Sequence, residues 1–166
     1  MTHREQSVGK SDDWYTPSRV FEALETYFTL DVAAPFEGPL HVPARSWISA
    51  DSLESTWYGY VWMNPPFGGR NGLAPWLDKF FYHRNGIALT PDRTSAPWWR
   101  KAADRADGAL FVTGKLRFIP ADGRKASCPA QGTTLWAAGD LAVSDLVRAQ
   151  QNGLGIMFYP NRKSAA

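Results

Sequence analysis

Hydrophobic positions along the chain follow two alternating patterns. Short apolar runs bounded by glycine, proline or polar residues predict β-strands, and apolar residues three and four positions apart predict α-helices. Thr16 or Ser18 is placed to cap the first helix. In chain order, the predicted elements are a helix in TPSRVFEALETYF, strands in FTLDVAA, around 46–48 and in YGYVWMN, a helix in LAPWLDKFFYHR, a strand in GIALTP, a helix in APWWRKAADRA, and strands in GALFVTG and GTTLWAAG.

This alternation predicts the fold class. Strands separated by helices form parallel crossover units, so we expect an α/β fold with a mostly parallel sheet and helices on both faces. Ligands bind such sheets outside the carboxyl ends of the strands. Asp31, Asn64 and Thr90 each close an apolar run at that end, and we expect these polar residues to converge on one crevice.

The length and composition indicate one globular domain. The chain has 166 residues, of which 44% are hydrophobic and 20% charged. We expect a single domain over 12–160, with flexible ends at 1–11 and 161–166. No apolar run reaches the roughly 18 residues of a membrane span, and the N-terminus lacks a signal-peptide core, which predicts a cytoplasmic protein. One cysteine and three scattered histidines predict no metal site.

Basic residues are concentrated in one part of the chain. The net charge of +2 does not by itself indicate a nucleic-acid partner. Lys115, Arg117, Arg124 and Lys125 nevertheless crowd GKLRFIPADGRKASCPAQGTT, while the acidic residues are dispersed. A basic loop between two strands at the edge of a crevice can contact phosphates, so we expect DNA there. For any single residue, a solvated loop is the alternative.

The stretch VWMNPPFGG places two prolines directly behind an apolar strand. Pro65 and Pro66 have no backbone N–H, so they present rigidly held carbonyl acceptors, and Asn64 adds a side-chain carbonyl. Such a site matches a ligand with an exocyclic amine, and Phe67 can lie flat against the ring that carries the amine. The natural candidate is adenine, although these four residues alone also allow cytosine or an amide nitrogen. A stiff turn that happens to carry an aromatic is the alternative.

The amine of adenine needs activation because its lone pair is delocalised into the purine. Hydrogen bonds from its two protons to Asn64 Oδ1 and the Pro65 carbonyl would free that lone pair to attack a sulfonium methyl group without a strong base. In duplex DNA the base must first be flipped out, and stacking on Phe67 would offset part of the cost. Arg70, on the loop that follows, is placed to fill the gap in the duplex or to contact a base edge.

Residues 64–67 resemble the Asp/Asn-Pro-Pro-Tyr/Phe motif of amino-methyltransferases that use S-adenosylmethionine. In its wider pattern, the chain is similar to the phage-type DNA N-6-adenine methyltransferases, the Dam family of phages and prophages. The resemblance implies a Rossmann-like methyltransferase fold and transfer to the N6 of adenine in double-stranded DNA, in the cytoplasm of a bacterial host cell. It rests on DDWYTPSRVFEAL, LDVAA, VPARSWISADSL, VWMNPPFGG, WLDKF, IALTPDRTSAPWW and GKLRFI, in that order.

The resemblance also implies roles for residues outside that motif. Asp31 would hold the ammonium group of the cofactor, Ala33 is small enough for its close approach, and Asp51 would accept from its adenine amine. Asn64 would serve both ligands where the methyl group lies. The methionine end of the cofactor would be covered by Trp14, Tyr15, Thr16 and Pro17.

Other readings remain open at this point. Asp31 and Asp51 also suit turns or helix caps, and Thr16 and Pro17 suit a helix start. The glycine-rich loop that follows the first strand of most methyltransferases is absent, and DVAAPFEGP stands in its place. No acidic residue clearly marks a ribose site. A methyltransferase acting on RNA adenine or a glutamine amide, and a catalytically silent DNA-binding protein, are the alternative functions.

Overall fold

The computed structural model of the chain describes residues 14–68, 72–120 and 130–160. The predicted flexible ends, 1–11 and 161–166, therefore lie entirely outside the described residues. No helix in the described part is long and apolar enough to cross a membrane. The described elements are β1 (Trp14–Tyr15), α1 (Ser18–Leu24), β2 (Phe28–Asp31), β3 (Ala44–Trp47), β4 (Val61–Met63), α2 (Leu73–His83), β5 (Gly86–Pro91), α3 (Pro97–Arg105), β6 (Gly108–Val112), β7 (Ile119–Pro120), β8 (Thr133–Ala138), α4 (Asp140–Gln151) and β9 (Gly155–Phe158).

The central sheet is mixed rather than mostly parallel. Within the described ranges it has seven strands in the order β3-β2-β4-β5-β8-β6-β9. The pairs β2–β3, β2–β4 and β4–β5 are parallel, whereas β8 is antiparallel to β5 and β6, and β9 is antiparallel to β6. Because β5 and β6 both oppose β8, they run in the same direction as each other. The predicted α/β class is correct, but the expectation of mostly parallel pairing is not confirmed.

The direction of β8 follows from its connection to β6. No helical spacing separates GALFVTG from GTTLWAAG in the sequence. Parallel neighbours need a crossover, usually a helix, whereas strands joined without one can pair in opposite directions. The strand-helix alternation that predicts parallel pairing therefore stops at β6.

Two hydrophobic cores lie on opposite faces of the sheet. Side chains from α1 and α4 pack on one face and form the first core. Those from α2 and α3 pack on the other face and form the second core. The two-residue period of the strands distributes their side chains between the cores. In β4, for example, Trp62 joins the first core, while Val61 and Met63 join the second. Helices therefore cover both faces, as predicted.

Helix α1 begins without the predicted side-chain cap. Pro17 occupies the N-cap position and no side chain caps the helix there. The Thr16 hydroxyl instead accepts a hydrogen bond from Asn64 Nδ2, 48 residues away. The expectation that Thr16 or Ser18 caps α1 is therefore wrong, because Thr16 makes a tertiary contact.

Helix α4 is joined to β4 by a buried polar cluster. The Tyr60 hydroxyl, just before β4, donates to Asp145 Oδ2 at 2.7 Å, and Arg148 Nη1 donates to Asp145 Oδ1 at 2.8 Å. Arg148 also donates to the Leu24 carbonyl at the end of α1. Burial raises the pKa of the Tyr60 hydroxyl, and so does the neighbouring Asp145, so the hydroxyl remains the donor.

Candidate active site

The site lies at the carboxyl ends of β2 and β4. These neighbours pair in parallel, with Asp31 opposite Trp62, so their following residues emerge at the same edge of the sheet. A cavity of about 330 Å³ opens there. Its walls are largely apolar, with polar groups from Asn64, Gln131 and Thr133. The apolar walls include Trp14, Pro35, Phe67, Pro91 and Phe118.

The double-proline segment forms one wall of this cavity. Asn64, Pro65, Pro66 and Phe67 all line it. Pro65 is buried, while the ring of Phe67 is 39% exposed and available to a ligand. The strand ends at Met63, because the following prolines cannot donate to a ladder. The predicted set of acceptors and an aromatic surface is therefore assembled around a single space.

The side-chain amide of Asn64 is held from the N-terminal segment. Its Nδ2 donates to the Trp14 carbonyl at 3.3 Å and to Thr16 Oγ1 at 3.1 Å. Both partners belong to the segment around β1, which pairs antiparallel with β7 at the rim of the cavity. The tertiary fold thus orients Asn64 from residues about fifty positions away in the chain.

A narrow cleft adjoins the cavity. Trp14, Ala33, Pro35 and Asn64 line both spaces. The cleft is also lined by Tyr15, Thr16, Asp31, Pro39 and His41. The structure thus brings most of the predicted cofactor residues together beside the double-proline segment. Pro17 is not among these lining residues and forms the N-cap of α1.

Asp31 is a buried carboxyl facing this cleft. Its side chain accepts one hydrogen bond, from the Ala33 backbone N–H at 3.1 Å, and it has no ion-pair partner among the described residues. Burial raises the pKa of Asp31 from 3.8 to about 7. A buried carboxylate without a cation is costly, so the cleft suits a positively charged ligand such as an ammonium group.

Asp51 lies apart from both spaces. It is exposed, has a φ of 51°, and starts a turn in which the Ser55 hydroxyl donates to its carbonyl at 2.8 Å. The next residue ties this turn to the end of β2, because Ser52 Oγ donates to the Val32 carbonyl at 2.5 Å. Asp51 therefore stays near the carboxyl edge of β2, but the structure does not bring it to the cavity or the cleft.

Thr90 is not in the crevice, contrary to the sequence-based expectation. It is fully buried, and its Oγ1 accepts a hydrogen bond from Trp136 Nε1 at 2.8 Å. Strand β5 runs one residue further, and Pro91 lines the cavity instead. Alternation of side chains along the strand turns Thr90 into the core.

The predicted DNA-contacting residues are only partly described. Lys115 and Arg117 are exposed, close in the chain to Phe118, which lines the cavity. Lys115 Nζ donates to the Ala130 carbonyl at 3.4 Å, and Ala130 also lines the cavity. These two cations therefore lie near the rim. Arg70, Arg124 and Lys125 fall outside the described residues.

Several residues that line the cavity were not predicted from the sequence. Gln131, just before β8, and Thr133, its first residue, contribute polar groups to the cavity. Their position is set by β5, since the Asp92 N–H donates to the Gly132 carbonyl at 3.0 Å and Thr134 Oγ1 donates to Asp92 Oδ1 at 2.5 Å. The sequence placed the preceding basic loop at the crevice edge, but no local pattern identifies these side chains.

Comparison with known proteins identifies the family. A family model described as DNA N-6-adenine-methyltransferase (Dam) matches residues 3–137. The chain belongs to this family. No curated protein and no solved structure matches the chain. The matched region includes Asp31, the double-proline segment and most of β8, so it spans both walls of the cavity.

Membership in the Dam family confirms the enzyme class expected from the sequence. The protein is a DNA N6-adenine methyltransferase. This result favours DNA over RNA or a glutamine amide as the acceptor, and it favours catalysis over silent DNA binding.

Proposed function

We propose that this Dam-family protein transfers a methyl group from S-adenosylmethionine to the N6 of an adenine flipped out of double-stranded DNA, at a specific sequence. The observation that carries the proposal is the meeting of the cavity and the charged cleft at Asn64. One side suits a planar, amine-bearing ring, and the other suits a cation. Asn64 belongs to both, at the point where methyl donor and acceptor must meet.

Two features of the sheet support a Rossmann-like methyltransferase fold. Strands β3, β2, β4 and β5 are parallel, and from β2 the chain moves to one side for β3 and to the other for β4. The crevice at such a reversal of strand order is the usual ligand site of open α/β sheets. Asp31 and Asn64 lie on its two sides.

The cleft residues suit the ammonium end of S-adenosylmethionine, which supplies a methyl group on a positively charged sulfur. The Asp31 carboxylate would accept hydrogen bonds from its ammonium group, which offsets the buried negative charge. Trp14, Tyr15 and Thr16 would line its methionine end, and Ala33 leaves room for close approach. Pro17 would support this segment as the N-cap of α1, and Asp51 would contact the adenine end from the turn beyond β3.

The cavity residues fit a flipped adenine. Phe67 would stack on the purine, while Asn64 Oδ1 and the Pro65 carbonyl would accept hydrogen bonds from the two N–H groups of the 6-amino group. Pro66 keeps this segment rigid. These hydrogen bonds would draw the nitrogen lone pair out of the ring. Attack of the nitrogen on the methyl carbon would break the bond from that carbon to sulfur, so S-adenosylhomocysteine would leave, and the extra proton on nitrogen would pass to solvent. Preorganised acceptors, rather than a strong base, would lower the barrier.

Binding of duplex DNA would involve the basic rim. Lys115 and Arg117 would contact phosphates, together with Arg124 and Lys125 of the same segment. Arg70, which follows the double-proline segment, would occupy the gap left by the flipped base. Such an enzyme would act on phage or host DNA in the bacterial cytoplasm.

Transfer of labelled methyl from S-adenosylmethionine to duplex DNA tests the proposal. After digestion to nucleosides, the label should appear in N6-methyladenine, and Asn64→Ala should reduce the rate by about 100-fold or more, the scale on which single preorganised electrostatic contacts act. Circular dichroism should show that the variant is folded. Failure of the wild type to label any adenine-containing DNA would overturn the proposal.

A further inference from the structure

The Asn64 amide is constrained by two acceptors of different kinds. The Trp14 carbonyl can only accept a hydrogen bond, while the Thr16 hydroxyl can accept or donate. Thr16 is only 3% exposed, so water does not readily replace its hydroxyl. These contacts use both protons of Asn64 Nδ2.

The Trp14 carbonyl favours one of the two orientations of the Asn64 amide. An oxygen at this position would repel that carbonyl, so the nitrogen must face it. Oδ1 then lies at the other end of the planar amide, in a residue that lines the cavity. This orientation presents an acceptor to an incoming amine. In the reverse orientation, the NH₂ group of Asn64 would face the NH₂ group of the target base, and neither could accept a hydrogen bond from the other.

Thr16 supplies the shorter of the two contacts. The torsion about the Cβ–Cγ bond of asparagine is broad, so the amide is not fixed by its own rotamer preference. The bond to Trp14 is long at 3.3 Å, whereas that to Thr16 Oγ1 is 3.1 Å. Loss of the hydroxyl would therefore leave the amide weakly held.

We propose that Thr16 is a positioning residue that orients Asn64 so that Oδ1 accepts a hydrogen bond from the target amine. The proposal rests on the proposed methyl transfer to adenine. It gives Thr16 a role distinct from holding the cofactor, although its side chain also borders the cofactor cleft. It also explains why β1 is attached to the rim through β7.

The kinetic test compares Thr16→Val, which removes the hydroxyl and keeps the branched shape, with Thr16→Ser, which keeps the hydroxyl. Thr113→Val is the matched control, since Thr113 is exposed and lines neither space. At saturating S-adenosylmethionine, Thr16→Val should lower kcat roughly threefold to tenfold, the value of one neutral hydrogen bond. The Kd for the cofactor should change by a smaller factor than kcat, and serine should restore kcat.

A Thr16→Val variant that is impaired in cofactor binding but not in kcat would overturn the proposal. If Thr16 only holds the cofactor, Thr16→Val weakens cofactor binding in calorimetry and leaves kcat unchanged at saturation. An unchanged kcat with unchanged Kd also contradicts the proposed role. If the wild type itself does not methylate DNA, the proposed function is wrong. That result would not contradict the orientation of Asn64.

A second measurement reports on the hydrogen bonds of the Asn64 amide and does not depend on enzyme activity. In protein labelled with ¹⁵N-asparagine, the Asn64 NH₂ signal is identified by its loss in Asn64→Ala. Its protons should be protected from exchange in the wild type and in Thr113→Val, and exposed in Thr16→Val. Equal protection in all three folded proteins would overturn the inference.

If Thr16→Val does not fold, Asn64→Asp tests the same geometry. An ionised carboxylate would place an oxygen against the Trp14 carbonyl, whereas a protonated carboxyl can donate to it. At saturating cofactor, kcat of Asn64→Asp should therefore rise as the pH falls. A kcat equal to that of the wild type at neutral pH would contradict the proposed orientation.

Discussion

Asp31 ends β2, Asn64 directly follows the neighbouring strand β4, and the two side chains differ in chemistry. The buried carboxyl of Asp31 suits a cation, while the neutral amide of Asn64 offers an acceptor without adding a second buried negative charge. Two carboxylates in one desolvated cleft would raise each other's pKa. A neutral acceptor at position 64 thus allows Asp31 to ionise near neutral pH.

The raised pKa of Asp31 makes cofactor affinity dependent on pH. Only the ionised carboxyl attracts the ammonium group, so affinity for S-adenosylmethionine should rise from pH 6 to pH 8, by up to tenfold per pH unit below the pKa of about 7. Asp31→Asn should bind weakly with little pH dependence, and Asp104→Asn, an exposed carboxyl on α3, should behave as the wild type. Calorimetry across this range measures the effect. A flat wild-type profile would contradict it.

The same group affects stability in the absence of cofactor. Its pKa is raised on folding from 3.8 to about 7, so the folded state binds the proton more tightly than the unfolded state. The resulting stabilisation is fully present below about pH 4 and is lost as the pH rises through 7. Asp31→Asn should remove this contribution to the pH dependence of the free energy of unfolding.

Residues were predictable where their position in an element determines their role. Asp31 and the double-proline segment close apolar runs, and the carboxyl ends of strands are the ligand edge of such a sheet. The contact between Thr16 and Asn64, and the polar groups of Gln131 and Thr133, depend on segments far apart in sequence. No local pattern carries that information.

At the scale of elements, side chains of α4 form hydrogen bonds with residues just before β4 and at the end of α1. Asp145 is 1% exposed and receives hydrogen bonds from Tyr60 and Arg148, while Arg148 also contacts the Leu24 carbonyl. These hydrogen bonds offset the cost of burying the Asp145 carboxyl group. The cluster therefore fixes how α4 covers the first core.

Removal of the Tyr60 hydroxyl should destabilise the protein without altering the site. Tyr60→Phe leaves Asp145 Oδ2 without its donor in the core, which should cost about 1–3 kcal/mol of unfolding free energy. Tyr82→Phe is the matched control, since Tyr82 is 89% exposed, and it should change stability by less than about 0.5 kcal/mol. Urea denaturation of both variants measures this difference. Equal stabilities would show that the cluster contributes little.

Most central elements were predictable from periodicity, but those at the margins were not. Strand β5 was predicted with its observed bounds, and α2 and α3 to within one residue at each end. The paired β1 and β7 are two residues each, too short to show a period. Helix α4 was missed, although Ala142, Leu146 and Ala149 follow helical spacing and could have revealed it.

At the scale of the molecule, the charge distribution matters more than its sum. The net charge is only +2, yet exposed cations lie near the rim of the cavity. Phosphate contacts release counterions, which makes DNA binding sensitive to salt. The basic segment should therefore contribute affinity irrespective of the bases read elsewhere.

Salt titration distinguishes a lysine that contacts DNA phosphate from a lysine that does not. Lys115→Ala should weaken DNA binding and reduce the slope of log K against log salt by about 1, as expected for one lost phosphate contact. Lys101→Ala, an exposed lysine of α3, is the matched control and should leave the slope unchanged. Identical slopes for both variants would exclude a phosphate contact by Lys115.

Sequencing of modified bases in DNA from cells that express the protein tests the central claim most directly, because it reports both the modified atom and the target sequence. The host should lack adenine methylation of its own. We predict N6-methyladenine at one recurring sequence with the wild type, and none with Asn64→Ala expressed at the same level. Absence of N6-methyladenine with the wild type, or equal modification with Asn64→Ala, would contradict the account.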